Sequence, residues 1–255
     1  MVPPVRSKSA SRICCAVRRR NAKAVWVARV EAPEPGFALE KAITVMTGEP
    51  LRMMCAGRTD AGVHAMAQVA HADFTRDWKP DSLRDGLNTV LRQRNELVSI
   101  LNIERVNDDF SARLSAKKRH YLYRIINRRQ PSPLEFRRAW HVQRPLDAEA
   151  MNNAGKHLLG HHDFTTFRAS GCQAHTAMKT LEQLDVTRNG EIIEVRTSAR
   201  SFLHHQVRRM VGSLEMCGAG KWSADDLQSA LQAKDTQFSG QQAPAWGLFF
   251  VSVDY

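Results

Sequence analysis

Apolar residues recur along the chain at two spacings, which separate the predicted helices from the predicted strands. The first predicted helix carries its apolar face at Leu39, Ala42, Ile43 and Met46. Gly48 marks the end of this helix, and Asp147 and Ser223 are placed as N-caps of two later helices. Two more helices are predicted over PDSLRDGLNTVLRQ and SFLHHQVRRMVGSLEMCG.

Runs with a period of two predict the strands. Asn189-Gly190 between two such runs is a strong short signal for a β-hairpin. Tyr121, Tyr123 and Ile125 share one side of another predicted strand. The predicted strands are LRMMCA, QVAHADF, LVSILNIERV, HYLYRIIN, the two arms of LEQLDVTRNGEIIEVRTSA, and LFFVSVDY.

The order of these elements predicts an α+β fold with two sheet-and-helix halves, because antiparallel strands and helices recur in each half. We set an N-terminal catalytic half at residues 37–130 and a C-terminal half at residues 131–255. Residues 1–36 form an atypical basic segment that fits neither half.

The net charge of the chain bears on its binding partner. The 255 residues carry a net charge of +11. Residues 1–36 hold eight Lys/Arg and two Glu (+6), and residues 37–255 hold the remaining 29 basic and 24 acidic residues (+5). Such a surplus favours nucleic acid as a partner, although a basic surface without a partner is the simpler alternative.

Two classes of protein are disfavoured by composition. No apolar run approaches the roughly 20 residues of a membrane helix, so we expect no membrane partner. The five cysteines form no CxxC pair and are odd in number, which argues against a disulfide framework or zinc knuckle. We therefore expect a reducing compartment, the cytoplasm.

The stretch AGRTDAGVHA holds the first candidate for chemistry, Asp60, in a turn bounded by glycines. A carboxylate held there can act as a nucleophile, a general base or a metal ligand. The alternative is that Asp60 only hydrogen-bonds the amides of its own loop. No group of His, Asp and Glu has metal-ligand spacing along the sequence, so we predict no metal site.

Two other segments add candidates. Tyr121 is either a packing residue or a platform on which a base stacks, and the basic residues around it favour the second. His204 and Arg208 share a helical face, with His205 beside them. That face either pairs with a carboxylate or phosphate or binds RNA phosphates without specificity.

Five segments, taken in order, resemble the TruA-type tRNA pseudouridine synthases. The resemblance runs from about Leu39 to Tyr255. It rests on AGRTDAGVHA, FSARLSAKKRHYLYRIIN, HDFTTFRASGC, FLHHQVRRMVGSL and GLFFVSVDY.

The resemblance implies a fold and an activity. The fold would be two ferredoxin-like (RRM-like) halves that form a continuous antiparallel sheet, with helices on one side and an RNA-binding cleft. The activity would be a cofactor-free isomerisation of uridine to pseudouridine at positions 38, 39 and 40 in the anticodon stem-loop of tRNA. The family works as a homodimer.

The resemblance also implies roles for residues. Asp60 would be the catalytic group that opens the glycosidic bond, with Arg208 paired to it. Tyr121 would stack on the uracil and help to remove the proton from its carbon five. The remaining candidates would hold the RNA: Arg58 in the space left by the flipped base, Leu248 against the base, and His64 and His205 as further contacts.

The chain departs from the family before Leu39, where the usual Tyr-Asp-Gly turn is missing. We expect a shifted reading frame or a wrong start upstream of Phe37, with a transit peptide as the second option. Loss of the first strand would leave an exposed sheet edge.

Other functions remain open at this point. The chain could be a non-catalytic RNA-binding protein on the same fold, or an inactive copy of the enzyme. A metal-dependent phosphohydrolase that uses Asp60, His64 and His71 is a further alternative, and it would lose activity to chelators.

Overall fold

Ten strands pair into one sheet in the computed structural model, which describes residues 22–30 and 35–255. Their bounds are β1 Ala22–Val30, β2 Met54–Cys55, β3 His64–Phe74, β4 Val98–Arg105, β5 Lys118–Asn127, β6 Trp140–Val142, β7 Gly160–Asp163, β8 Met178–Asn189, β9 Ile192–Ala199 and β10 Leu248–Asp254. The α-helices of these residues are α1 Pro35–Thr47, α2 Pro80–Gln93, α3 Ala148–Gly155, α4 Gln206–Gly218 and α5 Ala224–Ala233. None of these helices has the length and hydropathy needed to cross a bilayer.

The strand order is β4-β1-β3-β10-β5-β9-β8-β7, with β2 paired to β3 and β6 paired to β5. The last strand of the chain therefore lies in the middle of the sheet. It runs antiparallel to β5 but parallel to β3. The expected α+β class is confirmed, whereas a purely antiparallel sheet is wrong because β3–β10 and β5–β6 are parallel pairs.

The strand that the family pattern left in doubt is present. β1 lies between β3 and β4 and pairs antiparallel with both. Residues 1–21 and 31–34 of the atypical segment lie outside the described residues, and the proposed domain bounds remain predictions.

The helices of the first half form as their apolar spacing predicts. Leu83, Leu87 and Leu91 of α2 are buried, on one face of the helix. The Asn88 side chain links α2 to β4: its amide donates to the Ile100 carbonyl, and its oxygen accepts from the Ile100 amide, each at 2.8 Å. This pair fixes the distance of the helix from the sheet.

Local signals in the second half are confirmed as well. The Asp147 carboxylate accepts from the amides of Glu149 and Ala150, and caps α3. Ser223 and Asp226 form the capping box that starts α5. The predicted hairpin joins β8 to β9 through Gly190, whose φ of +58° suits glycine.

Three predicted elements differ from the structure. LRMMCA yields only the two-residue β2, with Met54 exposed. In QVAHADF the residues from 68 to 72 are all buried, because neighbours cover β3 on both faces. The helix predicted from residue 201 begins only at Gln206, since His205 has a left-handed backbone with φ of +64°.

Two core clusters meet at the centre of the sheet. One packs α1 and α2 on the strands of the first half, and the other packs α3, α4 and α5 on the strands of the second. Tyr121 contacts both clusters. The candidate residues of the two halves are thus brought to one seam.

The loop before β10 crosses α4 at very short range. A Cβ on Gly212 would lie 1.6 Å from the Gln241 carbonyl oxygen. The loop is tied there by the Gly240 amide, which donates to the Ser213 hydroxyl at 2.9 Å, and by the Ala243 amide, which donates to the Arg208 carbonyl at 3.1 Å.

We therefore expect Gly212→Ala to lower the free energy of unfolding by about 1–3 kcal/mol, the usual cost of overpacking. Gly171→Ala is the matched control, because a Cβ there meets nothing within 4 Å, and we expect a change below about 0.5 kcal/mol. Urea unfolding of both variants measures the difference. Equal midpoints and slopes for the two variants would contradict the close crossing.

Candidate active site at the seam of the two halves

Asp60 lies on a tight turn between β2 and β3. The turn closes through a hydrogen bond from the Val63 amide to the Asp60 carbonyl, at 3.0 Å. Gly62 supports it with a φ of +83°. Gly57 lets the loop approach the sheet, since a Cβ there would lie 3.3 Å from the Phe250 ring and 3.5 Å from the Tyr121 hydroxyl. The loop therefore carries Asp60 to the centre of the sheet.

Arg208 of α4 binds this carboxylate from the other half of the chain. Its Nη1 donates to Asp60 Oδ2 at 2.9 Å, and its Nε donates to the Ala243 carbonyl at 2.8 Å. The Arg208 side chain is only 13% exposed. Arg208 therefore contacts Asp60 directly, and the bond to Ala243 fixes the direction from which the guanidinium approaches.

Two histidines complete the surroundings of Asp60. His204 Nε2 lies 3.1 Å from Oδ1, and His205 Nε2 lies 3.2 Å from Oδ2. The two rings lie against each other with centroids 3.9 Å apart. His205 has a left-handed backbone directly before α4, and both rings face Asp60 there. Each carboxylate oxygen therefore faces at least one nitrogen.

Gln242 joins Arg208 and His205, the two half-buried partners of Asp60. With its oxygen toward Arg208, the amide accepts from Nη2 at 2.7 Å and Nη1 at 3.1 Å, and its nitrogen donates to His205 Nδ1 at 3.1 Å. Because Nδ1 accepts, the neutral His205 ring carries its hydrogen on Nε2, toward Asp60. Burial lowers the pKa of His205, with Asp60 opposing that shift and the nearby cations adding to it.

Tyr121 lies beside the Asp60 loop on β5. Its ring packs edge-on against Phe202 and Phe250, with centroids 5.1 and 5.2 Å away. Burial raises the pKa of the Tyr121 phenol well above its usual range, and nearby Asp60 adds to this while Arg119 opposes it. The hydroxyl is therefore protonated at neutral pH.

The other predicted residues lie in different surroundings. Arg58 is exposed next to the Asp60 turn. Leu248 is buried in the second core cluster, opposite Tyr123 in the pairing of β10 with β5. His64 is buried, with Nε2 2.7 Å from the Arg137 carbonyl oxygen and its ring stacked on Phe249. In the described part of the chain the Asp60 carboxylate has His204, His205 and Arg208 as polar partners, and neither Leu248 nor His64 is among them.

Within residues 35–255, one group has the ligand atoms of a possible metal site: Asp60, His204 and His205, whose ligand atoms all lie within 4.8 Å of one another. Spacing along the sequence gave no sign of this group, because its residues are far apart in the chain. Arg208 already binds Asp60 Oδ2, and its positive charge opposes a cation there. The phosphohydrolase set is not assembled: His64 binds Arg137, and His71 Nδ1 accepts from the Ala112 amide at 3.0 Å.

Sequence reasoning assigned no contact with Asp60 to His204 or Gln242. The four-residue spacing of His204 and Arg208 was a usable signal, since both reach the same carboxylate. Gln242 gave no signal, because it lies in an irregular loop and its partners are more than 30 positions away.

Comparisons with known proteins found a family and close relatives. A family model described as tRNA pseudouridine synthase matches residues 154–255. Three relatives, each named tRNA pseudouridine synthase A, match most of the chain. The relative from Brucella anthropi is 58% identical over 86% of this chain and 87% of its own length. The relative from Sinorhizobium fredii is 54% identical over 90% and 93%, and the one from Brucella ovis is 56% identical over 86% and 87%.

A class of enzyme is thereby defined, the tRNA pseudouridine synthases. Within that class, identity above half across most of the chain is decisive: the chain belongs to the tRNA pseudouridine synthase A family.

The surroundings of His205 make a prediction about its titration. Asp60→Asn removes the one charge that raises the pKa of His205 in the described part of the chain, so the pKa should fall further. Arg208→Met removes a charge that lowers it, so the pKa should rise. Histidine NMR titration, with the signal assigned by His205→Gln, measures both shifts. Asp185→Asn, a change to an exposed carboxylate on β8, is the control and should leave the titration unchanged. Shifts of the same sign in the two site variants would contradict the arrangement.

Proposed function

We propose that this protein is an isomerase that converts uridine to pseudouridine in tRNA, at positions 38, 39 and 40 of the anticodon stem-loop. The observation that carries the proposal is the Asp60 carboxylate, bound at 2.9 Å by Arg208 beside Tyr121. Membership of the tRNA pseudouridine synthase A family supports the reaction and its tRNA substrate. The TruA-type motifs support the three positions.

The reaction rearranges one nucleotide and needs no cofactor. The bond from ribose C1′ to uracil N1 breaks, the base turns, and C1′ bonds to C5. The C5 proton is lost and N1 gains one, so the atoms balance. Asp60 is the nucleophile that opens the first bond, at the ribose or at the base. Arg208 orients it from the buried side.

Tyr121 gives the detached uracil a flat surface. Its raised pKa keeps the phenol protonated in the resting site, which favours stacking over accepting the C5 proton. Asp60, once released from the sugar, is the better acceptor for that proton.

Arg58 stands at the mouth of the site. It is exposed next to Asp60. Flipping a uridine out of its helix costs on the order of a few kcal/mol of stacking. Arg58 offsets this cost by filling the space left in the stem. Leu248 lines the pocket against the base. His64 and His205 are further contacts with the RNA.

The fold and the charge of the chain support RNA binding. We infer two ferredoxin-like halves with helices on one side. The second half carries this inference, because β5, α3, β8, β9, α4 and β10 follow the β-α-β-β-α-β order with sheet order β10-β5-β9-β8. The net charge of +11 suits a tRNA backbone. The bacterial relatives support a cytoplasmic location.

We expect Asp60→Asn to reduce pseudouridine formation by at least about 10³-fold, the scale of losing a catalytic carboxylate. The assay is tritium release from tRNA labelled at uridine C5, with EDTA in every arm. Asp185→Asn is the matched control and should keep full activity.

Three results would count against the proposal. Full activity in Asp60→Asn would show that Asp60 is not the nucleophile. Loss of wild-type activity on adding EDTA would show a metal-dependent enzyme. No product from wild type, with tRNA still bound in a gel-shift assay, would favour a non-catalytic RNA-binding protein.

The homodimer is tested separately. We expect light scattering to give twice the mass of one chain at the concentrations used for the assay. A monomer that forms pseudouridine at the full rate would contradict a site that needs both subunits.

A further inference from the structure

Arg119 is a buried cation that the proposed chemistry does not use. Its residue is 8% exposed, and it lies on β5 two positions before Tyr121. All five of its N–H groups donate to backbone carbonyls at 2.5–3.2 Å. A guanidinium has five N–H groups in total, so none is left over.

The acceptors lie on three segments that reach the site separately. Nε and Nη2 both donate to the carbonyl of Ala56, the residue just before the loop that carries Asp60. Nη1 donates to the carbonyl of Arg200, on the segment that leads to His204 and His205. The remaining bonds go to the carbonyls of Arg113 and Ala116, on the segment that leads into β5.

Stability alone does not explain an arginine here. Burying a charge is costly, and apolar residues of similar volume often replace buried ions with no loss of stability. None of the five bonds goes to a carboxylate, so Arg119 gains no ion pair from them. The five bonds instead hold three backbone segments at a fixed distance from one another. Lysine has three donors and no planar fork, and so could not reproduce it.

We propose that Arg119 is a positioning residue: it clamps the Asp60 loop and the His204-His205 segment in register with Tyr121 on β5. The inference rests on the proposed function, because the clamp matters for catalysis only if these three groups act together. Arg119 does not touch the reacting atoms. The charge of Arg119 also acts on Tyr121, because it opposes the rise in the pKa of that phenol caused by burial.

The test uses Arg119→Lys and Arg119→Met in the full chain. Arg188→Met is the matched control, since Arg188 also binds backbone carbonyls, those of Leu146 and Gly190, in the second half. Four quantities are measured for each: kcat for tRNA, KM for tRNA, the thermal midpoint, and hydrogen–deuterium exchange of peptides covering residues 57–63 and 200–205.

For Arg119→Lys we expect kcat to fall by about 10²-fold, the effect of a misplacement near 1 Å, with KM changed by less than about threefold. Exchange should rise in both peptides together while the remaining peptides keep wild-type rates. Arg188→Met should change neither kcat nor these two peptides. Arg119→Met should show the same pattern more strongly, and if it fails to fold, Arg119→Lys alone decides.

Two outcomes would overturn the clamp. One is wild-type kcat in Arg119→Lys, and the other is exchange that rises uniformly over the whole chain, which marks a purely structural role. An inactive wild-type chain would instead overturn the proposed function. The exchange measurement would still decide whether Arg119 couples the two segments.

Discussion

The contact on which the site depends is the bond between Asp60 and Arg208, whose residues are 148 positions apart. It forms only because β10 enters the sheet between β3 and β5 and joins the two halves through a short parallel pair, Phe249 with His64 and Phe250 with Ala65. The β10 strand brings with it the loop that crosses α4 and holds Arg208 through the Ala243 carbonyl. The position of the last strand therefore determines the geometry of a carboxylate in the first half.

Local features of the fold could be predicted because their causes are local. The cap at Asp147, the capping box at Ser223 and the hairpin at Gly190 each depend on a few consecutive residues. The predicted elements were wrong where residues distant in sequence determine the local structure. β3 lost its alternation because its residues 68–72 are buried on both faces, and α4 starts late because His205 has a left-handed backbone. The parallel β3–β10 pair follows from the return of the chain end, which no local pattern encodes.

The candidate site divides in the same way. Asp60, Tyr121 and Arg208 were found through the order of their motifs, and the structure brings all three to the seam. The contact of His204 with Asp60 was not predicted, because the two residues are 144 positions apart. Gln242 was missed, because its position depends on the loop that crosses α4 at Gly212. Arg119 was noticed only as part of a basic segment. A run of Lys and Arg predicts an exposed basic surface, so it could not show that Arg119 is buried.

The two oxygens of Asp60 differ in how firmly they are held. Oδ2 faces Arg208 and His205, whose side chains are 13% and 23% exposed and are linked by Gln242. Oδ1 faces His204, whose side chain is 49% exposed. A partner that is half in solvent is displaced more cheaply than one that is buried and bonded twice. A substrate that needs one oxygen of Asp60 would therefore take Oδ1 and displace His204, while Arg208 keeps the carboxylate in place through Oδ2.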